Sequence, residues 1–179
     1  MIIEHKEDIS SSFEGTIIDI ESVGEFLNQY PDSRRYKDIQ LVIFGFINRC
    51  ALHILCAKGT EAISDLRGRI ENIIDSLERP FYAFNTDFER GVLFYELGKE
   101  TDFEGELQEW RESKANACSY LGIPNYDDPF YDKGYLCMKA WESREFDRAI
   151  AHNRACLLKE RDILMKRGFI KPAELKFIK

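Results

Sequence analysis

Two apolar runs separated by only two residues constrain this chain more than any other feature. Ile39–Asn48 and Ala51–Ala57 are dominated by Ile, Leu, Val, Phe and Ala, and Arg49-Cys50 alone joins them. Two such runs with so short a connection read as a β-hairpin. Thr16–Glu21 (TIIDIE) reads as a buried strand with two embedded carboxylates, and Phe81–Phe84 as another short strand. Thr60 is a candidate cap for a helix whose apolar positions Ala62, Ile63, Leu66, Ile70, Ile73, Ile74 and Leu77 recur at helical spacing. Phe88–Leu97 reads as a helix stopped by Gly98, and Arg144–Arg167 as a long helix ended by Gly168. Glu104–Tyr120 is expected to be helical, and 122–134 to be an acidic-aromatic loop (NYDDPFYDKGY). Residues 1–12 read as a loose or edge segment, and 22–38 as a loop or short helix. Three strands, a helix, a strand, a helix and further helices describe an α/β fold in one domain over residues 1–179, a mixed central sheet flanked by helices.

Composition limits the class. Of 179 residues 44% are hydrophobic and 13% aromatic, too much core material for a disordered chain. The longest apolar stretch, Leu41–Ile47, is too short to span a membrane, and no charged start followed by an apolar run suggests a signal peptide. The five cysteines, Cys50, Cys56, Cys118, Cys137 and Cys156, are odd in number and form no C-x-x-C pair, so reduced thiols in a cytoplasmic protein are expected. Cys50, His53 and Cys56 resemble a ligand cluster, but on a strand positions 50 and 56 share one face and 53 points to the other. Buried strand residues are the better reading. The formal charge of −7 argues against a general polyanion binder. It is unevenly spread: 141–179 holds 10 Lys/Arg against 6 Asp/Glu, so only that segment suits a polyanion.

Three local patterns carry chemistry. Asp19 and Glu21, one residue apart on a strand, point to the same face with Cβ atoms about 7 Å apart. Burying both among Ile17, Ile18 and Ile20 is unfavourable without a compensating cation, and a hard divalent ion, Mg²⁺ or Mn²⁺, would supply it. If the strand instead ended at Asp19, both acids would be solvated at its tip. In the second pattern a strand runs into Asn85 and a helix follows, with Asp87 as candidate N-cap and Glu89 in the first turn, where the helix dipole favours an acid. A well-capped helix alone would look the same. In the third, His152, Cys156 and Glu160 form an i, i+4, i+8 row on one helix face. His and Cys at that spacing can bind a soft metal, although a structural row half-facing the core is the plainer reading.

Together these patterns resemble the DEDD 3′–5′ exonucleases of the ribonuclease-H-like superfamily, over roughly residues 13–167. Asp19-Ile20-Glu21 matches their strand motif D-x-E. Asn85, Phe88, Glu89 and Leu93 match their strand-to-helix motif, with Glu where Asp is commoner. His152-Asn153 matches the start of their late-helix motif. The resemblance implies a ribonuclease-H-like sheet of three antiparallel strands followed by a parallel one. It also implies metal-dependent hydrolysis of phosphodiesters at a single-stranded DNA or RNA end, with one or two Mg²⁺ or Mn²⁺ ions on Asp19, Glu21 and Glu89. His152, alongside Glu21, would be catalytic, orienting or deprotonating water. Asn85, Asn153 and Arg154 would bind substrate, with Arg161 and Lys166 along the phosphates and Tyr126, Phe130, Tyr131 and Tyr135 as candidate stacking groups.

The sequence departs from the pattern at one point. The late motif calls for a carboxylate four residues after His152, where Cys156 stands; five residues on is Leu157. A thiol is a poor ligand for Mg²⁺. Glu160, about 6 Å further along the helix, is a candidate replacement, and the Lys159 ammonium could neutralise Asp19 and Glu21 without metal. A catalytically degenerate domain that binds nucleic acid or a protein partner is therefore the alternative, and an unrelated α/β domain the third reading.

Overall fold

The computed structural model describes residues 1–179. Its strands are β1 (Ile2–Asp8), β2 (Thr16–Gly24), β3 (Ile39–Ile47), β4 (Ala51–Ala57), β5 (Phe81–Ala83) and β6 (Gly105–Glu106). Its helices are α1 (Ile63–Ile74), α2 (Thr86–Leu97), α3 (Lys114–Leu121), α4 (Gly134–Glu142) and α5 (Phe146–Arg167). The six strands form one mixed sheet in the order β1-β4-β3-β2-β5-β6. β1, β4, β3 and β2 pair antiparallel; β5 then runs parallel to β2, and β6 parallel to β5. The β3–β4 hairpin closes where expected, because the Asn48 side chain accepts the backbone N–H of both Cys50 and Ala51.

Successive residues on β2 and β3 are buried alike, as Ile17, Ile18, Val42, Ile43 and Phe44 show. Both faces of the sheet are therefore covered. α1 and α2 pack on each other and on β3, whereas α4 and α5 pack on each other and on β2. One continuous cluster of 44 buried apolar residues results. No helix is long and apolar enough to cross a membrane.

Several boundaries differ from the sequence reading. β2 does not end at Asp19 but continues to Gly24, with a bulge between Glu21 and Ser22. The acids thus sit inside a central strand rather than at its tip. Thr60 does not cap α1. It lies in a 3-10 turn that begins after Gly59, and α1 ends at Ile74, short of Leu77. Asn85 rather than Asp87 is the N-cap residue of α2, and its side chain makes no capping bond. Gly98 ends α2 in the left-handed conformation, as expected.

The expected helix 104–120 is overturned. Its first part adds an edge to the sheet, where Leu107 and Gln108 donate backbone N–H groups to Ala83 and Phe84. Only Lys114–Leu121 is helical, capped by the Ser113 hydroxyl, which accepts from Asn116 N–H. A free sheet edge offers backbone partners that local propensity does not register. Helix α4 was not foreseen, and residues 1–12 hold the edge strand β1.

Candidate functional site

From the middle of β2, Asp19 and Glu21 face a cleft lined also by residues of α2, α3 and α5. The same cleft, about 170 Å³, is lined by Asp19, Glu21, Asn85, Glu89, Lys114, Asp132, His152 and Cys156, among others. The carboxylates of three distant segments therefore do crowd one spot. Glu89 enters from the first turn of α2. It is buried, and its Oε2 has no hydrogen-bond partner. Burial, with Asp19 and Glu160 close by, pushes its carboxyl well up from the ordinary range. Burial likewise pushes Glu21 up to about 7, with Asp19 adding to the effect and His152 opposing it.

Asp19 is held from two sides. The Asn153 amide donates to its backbone carbonyl at 3.1 Å and to its Oδ2 at 2.7 Å. Lys114 donates to its Oδ1 at 3.1 Å and pairs with Glu160 Oε1 at 2.6 Å. Glu160 is wholly buried and does reach the acidic cluster. Burial disfavours the Lys114 charge, but Asp19, Cys156 and Glu160 outweigh it and hold the ammonium well above its ordinary range.

His152 is 1% exposed and anchored through Nδ1. Nδ1 lies 2.7 Å from Asp128 Oδ1, and Nε2 lies 3.7 Å from both Glu21 Oε1 and Cys156 Sγ. Burial opposes a charge here, but Cys156, Glu21 and Asp128 override it and lift the imidazole to about 12. Asp128 is itself anchored. It accepts backbone N–H bonds from Phe130 at 2.9 Å and Asp132 at 2.8 Å, and Lys159 donates to it at 2.9 Å. Phe130 packs its ring on His152, centroids 5.5 Å apart. These buried carboxylate, imidazole and thiol groups can hold a metal ion.

Not every expected site residue belongs here. Arg154 turns away from the cleft and forms a two-pronged ion pair with Glu7 on β1. Arg161 pairs with Asp162 and Tyr126, so most of the basic charge foreseen for a phosphate track is spent internally. Lys159 does not neutralise Asp19 and Glu21. It bonds Asp128, Asp132 and Asn125, and Lys114 takes the role expected of it. Asn153 supports Asp19, while Asn85 lines the cleft with its side chain exposed.

Phe130 is core, whereas Tyr131 and Tyr135 are exposed. Cys56 is buried and Cys50 exposed, and His53 pairs with Glu4, so those three form no cluster. A groove of about 600 Å³, lined by Phe26, Phe88, Tyr135 and Met138, shares Glu21 and Phe88 with the acidic cleft.

Lys114 and Asp128 were missed by the sequence reading. A lysine in the first turn of a helix opposes the helix dipole and calls for a nearby acid, but the expected helix 104–120 placed Lys114 mid-helix and hid that signal. Asp128 sits in the acidic-aromatic loop, but nothing local marks which of its acids turns inward. Comparison with protein-family models, curated proteins and solved structures finds no match to this chain.

Proposed function

We propose that the chain is a ribonuclease-H-like, cation-dependent nuclease that hydrolyses phosphodiesters at a single-stranded nucleic-acid end. One observation carries this reading: Asp19 and Glu21 on β2, Glu89 on α2 and His152 on α5 line a single cleft. The strand order gives further support, since β4-β3-β2 are antiparallel and β5 follows in parallel.

The free donors are too few for two hard ions. Glu89 offers a buried, unpartnered oxygen, and burial, with Asp19 close by, raises the Glu21 and Glu89 carboxyls, so a bound cation would favour their charged forms. Lys114 already occupies Asp19 Oδ1, and a thiol stands in the place of the fourth carboxylate. In this reading Asp19, Glu21 and Glu89 would hold at most a single Mg²⁺ or Mn²⁺, and binding would require them to draw together and Asp19 to release Lys114 or Asn153. When bound, such an ion supplies Lewis acidity toward a phosphoryl oxygen and lowers the pKa of water.

The chain's own groups do the rest. Lys114 offsets the charge of Asp19 and Glu160, which would otherwise repel a phosphate. Cys156, Glu21 and Asp128 favour the charged form of His152 against the cost of burial, which suits its Nε2 to orienting water or a phosphoryl oxygen better than to abstracting a proton. Exposed Asn85 is placed to bond the substrate, and the Phe26–Phe88–Tyr135–Met138 groove offers ring faces to unpaired bases.

The test is release of a 3′-end label from single-stranded DNA and RNA in Mn²⁺, compared with a chelator and with Asp19→Ala and Glu89→Gln. Release should require both the ion and the two acids. If no label is released at any Mn²⁺ concentration, catalysis is excluded. Cys156 and Lys114 favour a second reading, a binding domain that has lost catalysis, and gel-shift binding without label release would select it.

A further inference from the structure

We propose that Glu21, His152 and Cys156 form a binding site for one soft divalent transition ion, zinc(II) by preference. The three side chains offer one carboxylate oxygen, one imidazole nitrogen and one sulfur, and their ligand atoms all lie within 4.8 Å of one another. His152 Nε2 is 3.7 Å from Glu21 Oε1 and 3.7 Å from Cys156 Sγ. A tetrahedral zinc with bonds of about 2.0–2.1 Å to N and O and about 2.3 Å to S has ligand-to-ligand edges of roughly 3.3–3.6 Å. Both edges from His152 thus need shifts of only a few tenths of an ångström, and the third, from Glu21 to Cys156, already lies within 4.8 Å. The trio supplies three ligands and lines the open cleft, which leaves the fourth position to water or a ligand.

The surroundings suit this assignment. His152 directs Nδ1 to Asp128, so Nε2 is the nitrogen presented to the ion, and Asp128 is itself locked by Lys159 and two backbone N–H groups. A carboxylate bonded to the far nitrogen of a ligating histidine fixes the ring's orientation and raises its basicity. His152 and Cys156 lie one turn apart on α5, which fixes their relative placement on a rigid element. The Lys114 ammonium is paired with Asp19 and Glu160, and that of Lys159 with Asp128 and Asp132. A sulfur–nitrogen–oxygen set selects zinc or cobalt over Mg²⁺. The exchange of carboxylate for Cys156 therefore changes which metal the late-helix position prefers, rather than only removing a ligand.

A soft ion here would engage Glu21 and His152 and so compete with hydrolysis. That consequence rests on the nuclease reading; the binding itself does not.

The experiment titrates cobalt(II), a spectroscopic substitute for zinc, into the full chain. One ion per chain should bind with a sulfur-to-cobalt charge-transfer band and the intense visible bands of a tetrahedral site, both lost on adding zinc. Cys156→Ser should abolish the charge-transfer band, whereas Cys50→Ser, which removes the one exposed thiol, should keep it. Asp128→Asn should weaken zinc binding about 10–100-fold. X-ray absorption of the unmutated zinc complex needs no variant to fold and should find one sulfur in a four-atom shell. A shell without sulfur, or a band that follows Cys50, overturns the proposal. Label release in Mn²⁺, measured separately, leaves this result untouched whichever way it falls.

Discussion

Gly45 lacks a side chain because Asn153 needs the space. It pairs in register with Asp19 across β2 and β3, and a Cβ there would stand 2.0 Å from Asn153 Oδ1. That vacancy lets α5 lower the Asn153 amide onto both the backbone and the carboxylate of Asp19. Gly45→Ala should cost about 1–3 kcal/mol through overpacking, read as a lower denaturant midpoint at unchanged slope. A loss below about 0.5 kcal/mol, the size of an ordinary surface change, would refute this account of Asp19's support. Asp19 and Glu21 were legible from sequence because a period of two fixes their common face. Their partners were not, because Lys114 and Asn153 reach them across 95 and 134 residues.

Helix α5 is the rod on which the site is built, and 122–133 is stapled to it. His152 and Lys159, two turns apart on α5, both grip Asp128 of that loop. Burial pushes the Asp128 carboxyl up, but His152 and Lys159 outweigh it and hold the group well below the usual carboxylate range. A depressed native pKa contributes stability that is complete above the unfolded value of about 3.9 and is lost as pH falls through the native value. Asp128→Asn should therefore cost about 3–5 kcal/mol at pH 7, since it leaves buried cations uncompensated. The gap from the unmutated chain should narrow as pH drops from about 4 toward 2. Urea midpoints at several pH values measure it, and a gap that stays constant would dissociate Asp128 from acid sensitivity. Both ends of α5 were close to legible, because Gly168 and the apolar spacing are local signals. The strand at Gly105–Glu106 was not, since only the free edge of β5 makes that segment extended.

One apolar cluster joins all the major helices to both faces of the sheet, so the molecule should unfold as a unit. Trp141, 5% exposed, donates Nε1–H to the carbonyl of Ala57 at the end of β4, whereas Trp110 is 97% exposed. The fluorescence change on unfolding should thus report Trp141. Its urea transition should coincide with that of far-UV circular dichroism, and an earlier fluorescence transition would identify α4 and α5 as a separable unit. Local patterning by itself determined the hairpin, the strand carrying Asp19 and Glu21, the helices ending at Gly98 and Gly168, and the residue types from which an acidic site could be assembled. These depend on residues a few positions apart, where backbone geometry dictates the face. Tertiary structure alone decided that Lys114 neutralises Asp19, that Arg154 serves the sheet edge through Glu7, and that Asp128 aims His152 at Cys156 and Glu21. Charge pairing in a buried cleft depends on distance in space, and only the packed chain sets it.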